Sequence, residues 1–132
     1  TEKGVGMDYM DLHLRSLIRM SGGVIYREMP PVTDMRGYVS PVLMPSGKRM
    51  LLLEPGFYIV NFAEVCPFDA EENNLLDVHQ YELNLAGARL SINTAPFCGT
   101  LEVWYPMQIE ENAKLVKLCY KVVAPKYDIP LE

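Results

Sequence analysis

The chain has 132 residues, 12 basic against 17 acidic, a net charge of −5 and an apolar fraction of 49%. That is the length of one domain, with enough apolar side chain to bury a core and too much to stay disordered. Apolar runs reach only a few residues, as at Met50–Leu53, far below the roughly 20 of a membrane helix. A net acidic chain without a Lys/Arg cluster also lacks the electrostatic footprint of a nucleic-acid binder.

The N-terminal stretch Thr1-Glu2-Lys3-Gly4-Val5-Gly6 has no basic head followed by an apolar run, so it does not read as a secretory signal. Met7 is a candidate natural start, which makes residues 7–132 the single expected domain and 1–6 an appended or disordered leader. Asp8 to Met20 predicts one amphipathic helix. Met10, Leu14, Leu17 and Ile18 fall at i, i+4, i+7 and i+8. Asp8 would cap it, Gly22 and Gly23 would end it, and Arg15 and Arg19 would suit its C-terminal dipole. His13 would then lie on its solvated face.

After the glycines the texture becomes extended. Val24-Ile25-Tyr26 is a short β-branched run that Pro30-Pro31 ends. Tyr38–Met44 reads as an edge strand because of Pro41. Pro45-Ser46-Gly47-Lys48 is a turn, Arg49–Leu53 a strand, and Glu54-Pro55-Gly56-Phe57 a type II turn leading into a strand from Phe57 to Cys66. Glu71-Glu72-Asn73-Asn74 is a polar loop, and the acidic run Asp69-Ala70-Glu71-Glu72 reads as a solvated one. From Leu75 the chain reads as a β meander, with Val78, Gln80 and Glu82 alternating against His79, Tyr81 and Leu83. Further strands follow at Leu90–Asn93, Leu101–Tyr105 and Leu115–Val123. In the last, Val116, Leu118, Tyr120 and Val122 form the expected core face, and Leu115, Lys117, Cys119 and Lys121 the outer one. Ten prolines and nine glycines between many short strands suit a barrel or jelly roll. Cys66, Cys98 and Cys119 are odd in number and unpaired in spacing, so they read as small core hydrophobes of a reducing, cytoplasmic compartment.

Three stretches, in order, resemble the dCTP deaminase/dUTPase superfamily. The first is the glycine-terminated opening Asp8–Tyr26. The second is Leu53-Glu54-Pro55-Gly56-Phe57-Tyr58-Ile59-Val60 with Phe62-Ala63-Glu64-Val65. The third is Gly87-Ala88-Arg89-Leu90-Ser91-Ile92-Asn93-Thr94-Ala95 with Gly99-Thr100-Leu101-Glu102-Val103. The resemblance implies a mostly β, dUTPase-like distorted jelly-roll barrel with one N-terminal helix. It implies a homotrimer, deoxypyrimidine triphosphates as ligands, and Mg²⁺ carried by their phosphates. Carried over by position, it points to Arg89, Asn93, Thr94 and Ala95 as nucleotide-binding residues.

Hydrolysis of such a nucleotide needs an activated water, which the family obtains from a carboxylate on a hairpin. The corresponding turn here, Thr94-Ala95-Pro96-Phe97-Cys98-Gly99-Thr100, is shorter and has no Asp, Glu or Tyr. Pro96 removes a backbone donor that a phosphate cradle would use. The nearest acid, Glu102, falls inside the following strand. His79-Gln80-Tyr81-Glu82-Leu83-Asn84 stands where the family carries Arg-Ser-Ser, and Pro125–Glu132 does not resemble its glycine-rich closing tail. The sequence therefore leaves two functions open: a divergent pyrimidine-nucleotide hydrolase or deaminase with a rearranged site, or a noncatalytic trimeric binding or structural module on the same fold. A cupin-like barrel is a weaker third, since two distant histidines make no metal set.

Single residues carry their own alternatives. His79, between Asp77 and Glu82, is a proton shuttle or a half-buried strand histidine. Arg89 meets a phosphate, or it pairs with Glu82 or a neighbouring subunit. Tyr58, Tyr81 and Tyr120 are expected as core or trimer contacts, and Trp104-Tyr105 as aromatic surface.

Overall fold

A computed structural model describes residues 3–69 and 74–125. The expectations for Ala70–Asn73 and for the tail 126–132 fall outside the described residues. The chain is mostly β. Its elements are β1 (Lys3–Val24), β2 (Val32–Tyr38), β3 (Val42–Leu43), β4 (Arg49–Leu53), β5 (Gly56–Phe62), β6 (Leu75–His79), α1 (Tyr81–Leu85), β7 (Ala88–Thr94), β8 (Phe97–Val103), β9 (Met107–Glu110) and β10 (Lys114–Pro125). Among the described residues, no helix is long and apolar enough to cross a membrane.

The expected N-terminal helix is a strand, and Leu12 explains why. On a helix, Leu12 sits about 200° round from Met10 and faces water. In the structure β1 alternates inward at Leu12 and Leu14, and then a bulge between Leu14 and Ser16 inserts one residue, so that Leu17 points inward too. The inward set Met10, Leu12, Leu14 and Leu17 thus contains the i, i+4, i+7 spacing of a helix. A strand with one bulge buries all of it; a helix leaves Leu12 out. Each leucine so buried contributes about 1.5–3 kcal/mol. Asp8 is therefore no helix cap, and Arg19 stacks its guanidinium over the Tyr58 ring at 5.8 Å.

The main sheet has seven strands in the order β6-β10-β1-β5-β8-β7, with β2 also paired to β1. β1 serves as its spine. It pairs with β10 from Lys3 to His13, with β5 from Leu14 to Arg19, and with β2 from Ile18 to Val24. The sheet curls until its outer strands, β6 and β7, nearly meet. Gln80, just after β6, spans the gap: its Nε2 donates to the Leu90 carbonyl at 3.0 Å, and its Oε1 accepts the Leu90 N–H at 2.6 Å. A primary amide carries the donor and acceptor of a peptide group, so one side chain stands in for a rung of ladder. The result is a nearly closed, barrel-like sheet.

A smaller sheet, β3-β4-β9, adds Leu51, Leu53 and Ile109 to the same core. That core is otherwise built from inward residues of the barrel, including Leu12, Leu17, Val60, Leu101 and Leu118. Gly99 lies where no side chain fits, because a Cβ there would stand 2.7 Å from Leu90 Cδ1 and 2.9 Å from Phe62 Cζ.

Several expectations need correction. The meander expected through Leu83 ends at His79, and Tyr81–Leu85 is the helix α1, closed by Gly87 at φ +98°. Leu115, placed on the outer face, is buried, and with Leu83 and Ala86 of the α1 segment it lines one small cavity. Gly56 has φ +148°, far from the roughly +80° that a type II turn needs at its third residue. All three cysteines are free and half-buried, not core. Tyr58 and Tyr120 are buried, but Tyr81 is exposed.

Candidate functional site

The Pro55-Gly56 bend and the Asn93–Ala95 corner belong to one sheet. β5 starts at Gly56 against Val103 of β8, and β8 forms a hairpin with β7 running from Ala88↔Val103 to Thr94↔Phe97. The link is Ala95-Pro96, whose peptide bond is cis. Strand alternation then fixes where each expected binding residue points. Arg89, Ser91 and Asn93 face outward, while Leu90, Ile92 and Thr94 face inward. Asn93 is exposed, with its amide 3.7 Å from the Cys98 sulfur. Thr94 is half-buried on the other face and Ala95 is exposed at the turn. Arg89 is exposed and lies about 13 Å along the strand from Asn93, four residues at roughly 3.3 Å each. It sits across the ladder from Glu102, not beside Glu82. The four residues therefore share a hairpin but do not converge on one point.

Beside that turn the sheet splits. The ladder between β5 and β8 stops at Val60↔Gly99, although the strands run on to Phe62 and Phe97. The two phenyl rings meet at 5.4 Å in the fork. The bulge of β1 faces the same opening. The fork encloses about 340 Å³ and is lined by Arg15, Ser16, Tyr38, Asn61, Phe62 and Phe97. Asn61 Nδ2 donates to Ser16 Oγ at 2.9 Å. Among the described residues no carboxylate lines it. One rung further along, His13 is held by Glu64: its ring Nδ1 lies 2.8 Å from one carboxylate oxygen, and its backbone N–H donates to the other at 2.7 Å. His13 is thus tied to a partner, not simply solvated as expected.

His79 is exposed on β6 and lies across from Lys117. With Glu82, Lys114 and Lys117 it lines a shallow hollow of about 190 Å³, in which two ammonium groups outweigh one carboxylate. Nothing there orients an imidazole for proton transfer. Three residues further along β10, burial pushes the Tyr120 hydroxyl up from its ordinary range, and the Asp8 carboxylate adds to this by charge and by accepting its hydrogen bond at 3.5 Å.

The resemblance implies Mg²⁺ on nucleotide phosphates. Among the described residues no group of three or more His, Cys, Asp or Glu is placed to hold a metal. The fork and the turn supply no oxygen anion among the described residues either, so those residues do not fit a metal site of the chain's own.

Reading the first strand as a helix hid the fork from sequence reasoning. It sent Arg15 and Ser16 to a helix surface and gave Asn61 and Tyr38 no common neighbourhood. The signal that could have found it was Leu12, the apolar residue that a helical stripe leaves over. No family model, curated protein or solved structure matches this chain.

Proposed function

We propose that the chain is a noncatalytic, dUTPase-type jelly-roll module of the cytoplasm that works by assembling with copies of itself, as the homotrimer of the resembled family would. One observation carries this reading: both ends of β1 run beyond β5 as arms with one edge unpaired among the described residues and with apolar side chains in water. β5 covers only Leu14–Arg19 on its edge of β1. On that edge, the residues before His13 and after Arg19 have no strand partner among the described residues. The first arm exposes Met7 and Tyr9; the second exposes Val24, Ile25, Tyr26, Met29, Val32 and Tyr38, with Ile25 at 89%.

A free strand edge attracts another extended chain, and proteins that stay monomeric usually shield such edges with proline or bulges. From Lys3 to Val24 β1 has no proline, and the first arm pairs with β10 from Lys3 to Leu12 without a register shift, whereas the second arm has shifts between Arg19 and Met20 and between Met20 and Gly22. A second copy brings the same run of N–H and C=O groups together with the same apolar side chains, which makes it the fitting occupant. Three free thiols suit a reducing compartment. The turn 94–100 carries no acid, and none lines the fork among the described residues, which supports the noncatalytic half of the reading.

Light scattering on the purified 15.0 kDa chain tests the assembly. The expected mass is that of a trimer, falling to the monomer in Met7→Asp/Ile25→Asp with an unchanged circular dichroism spectrum. A wild-type monomer at 100 µM ends the assembly reading. Pyrophosphate or ammonia release from dUTP or dCTP with Mg²⁺ ends the noncatalytic one.

A further inference from the structure

We propose that the fork between β5 and β8 is a binding site for a small phosphomonoester carried on a planar ring, the chemistry shared by nucleoside monophosphates and aryl phosphates. This goes beyond assembly and uses different residues.

Arg15 is the extra residue of the β1 bulge, out of register with β5, and bulges commonly re-aim a side chain in this way. It is exposed and forms no ion pair among the described residues, so its planar fork of donors is free for an oxyanion. The bond between Asn61 and Ser16 uses one amide hydrogen and one hydroxyl lone pair. It leaves the Ser16 O–H, the second Asn61 N–H and the Asn61 carbonyl oxygen to spend. An amide with one donor and one acceptor left matches the paired donor and acceptor on the edge of a heterocycle, as in amide recognition of bases. Phe62 and Phe97 give the fork an aromatic wall, and the Tyr38 hydroxyl adds a donor at the rim.

Charge sets the sign of the ligand. Among the described residues the lining holds one cation and no carboxylate, so an anion enters without repulsion and a cation finds no partner. Size sets its class. About 340 Å³ is at the lower end of ligand pockets, roughly 300–1,000 Å³. That suits a ring with one phosphate. Nothing in the fork activates water, so the site binds and does not hydrolyse.

The test is a titration of the full-length chain followed by NMR, with phenyl phosphate, uridine 5′-monophosphate, inorganic phosphate and uridine as separate probes. Both ring phosphates are expected to shift the Asn61 side-chain amide, the Arg15 Nε–H and the Phe97 ring together. Inorganic phosphate and uridine should each bind at least tenfold more weakly. Stronger binding of uridine monophosphate than of phenyl phosphate assigns the heterocycle edge to Asn61, and Asn61→Ala should abolish that preference. Arg15→Ala should weaken both ring phosphates at least tenfold and leave the thermal midpoint unchanged, because Arg15 is exposed and outside the core; Arg15→Lys should restore part of the loss. No shift at millimolar ligand overturns the site. So does equal binding of inorganic phosphate, or an Arg15→Ala variant that binds as well as wild type. Light scattering in the same samples keeps this outcome separate from the state of assembly.

Discussion

β1 is one continuous strand of 22 residues, yet its middle and its ends live in different environments. In the middle, Leu12, Leu14 and Leu17 are essentially inaccessible and the strand is paired in turn by β10, β5 and β2. At the ends it is paired on one edge only, and Met7, Tyr9 and Val24 lie in water. The same backbone therefore holds the barrel together at its centre and offers itself to a partner at its tips. What separates the two is not local propensity but how much chain lies across each edge.

Substitutions break this contrast unequally. Leu12→Ala should cost the most, about 2–5 kcal/mol, because it leaves a cavity in a packed core. Met7→Ala should stay within about 0.5 kcal/mol for the dissociated chain, since that side chain is exposed and outside the core cluster. Urea midpoints of the two variants, taken below the concentration of assembly, check the difference; equal losses would place the arm in the core. Gln80→Ala comes next. It strips both partners from the backbone of buried Leu90 and should cost about 2–3 kcal/mol. Gln80→Glu keeps the acceptor for the Leu90 N–H, loses the donor to its carbonyl, and should also destabilise. If Gln80→Ala melts with the wild type, the barrel is not closed by that amide. Gly99→Ala should cost about 1–3 kcal/mol by forcing Leu90 and Phe62 apart, and Leu90→Ala in the same chain should give part of that penalty back.

Much of the barrel was legible in the chain because many of its strands follow simple rules. Arg49–Leu53 is bounded by a turn and by Pro55, and it forms the strand its sequence predicts. Val116, Leu118 and Tyr120 alternate inward as period two requires, while Val122, expected on the same face, is exposed beyond the end of the core. The Met44–Lys48 turn closes on Gly47 at φ +87°. Two regions escaped for physical reasons. A bulge in β1 adds one residue to an alternating pattern, and the sum imitates a helix. Gln80–Leu85 alternates like a strand, but β7 already has β8 on one edge and the Gln80 side chain on the other, so the segment turns into a helix over Leu115. The binding residues suffered the same way. Arg89, Asn93, Thr94 and Ala95 were chosen by their place along the chain, and alternation divides them between two faces. The fork collects residues from four separate strands or their flanks, and no linear motif joins those.

The smallest expected effect concerns the inner end of the first arm, where Tyr120 is buried and its hydroxyl donates to Asp8. Burial first, and the Asp8 carboxylate second, favour the neutral phenol in the folded chain and raise its pKa above the ordinary value of 10.0. Above that value the unfolded chain loses a proton that the folded chain still holds. Stability then falls as pH rises, because the folded state binds more protons than the unfolded one. The contribution is whole below pH 10 and disappears as pH climbs through the raised folded value. Tyr120→Phe has no proton to lose, so its urea midpoint should fall less steeply above pH 10 than that of the wild type, while the two run parallel between pH 7 and 9. Asp8→Asn should give an intermediate slope, since it removes the charge and leaves the burial. Parallel curves through pH 11 would mean that the phenol reaches water, and that the barrel opens at the root of the arm rather than beyond it.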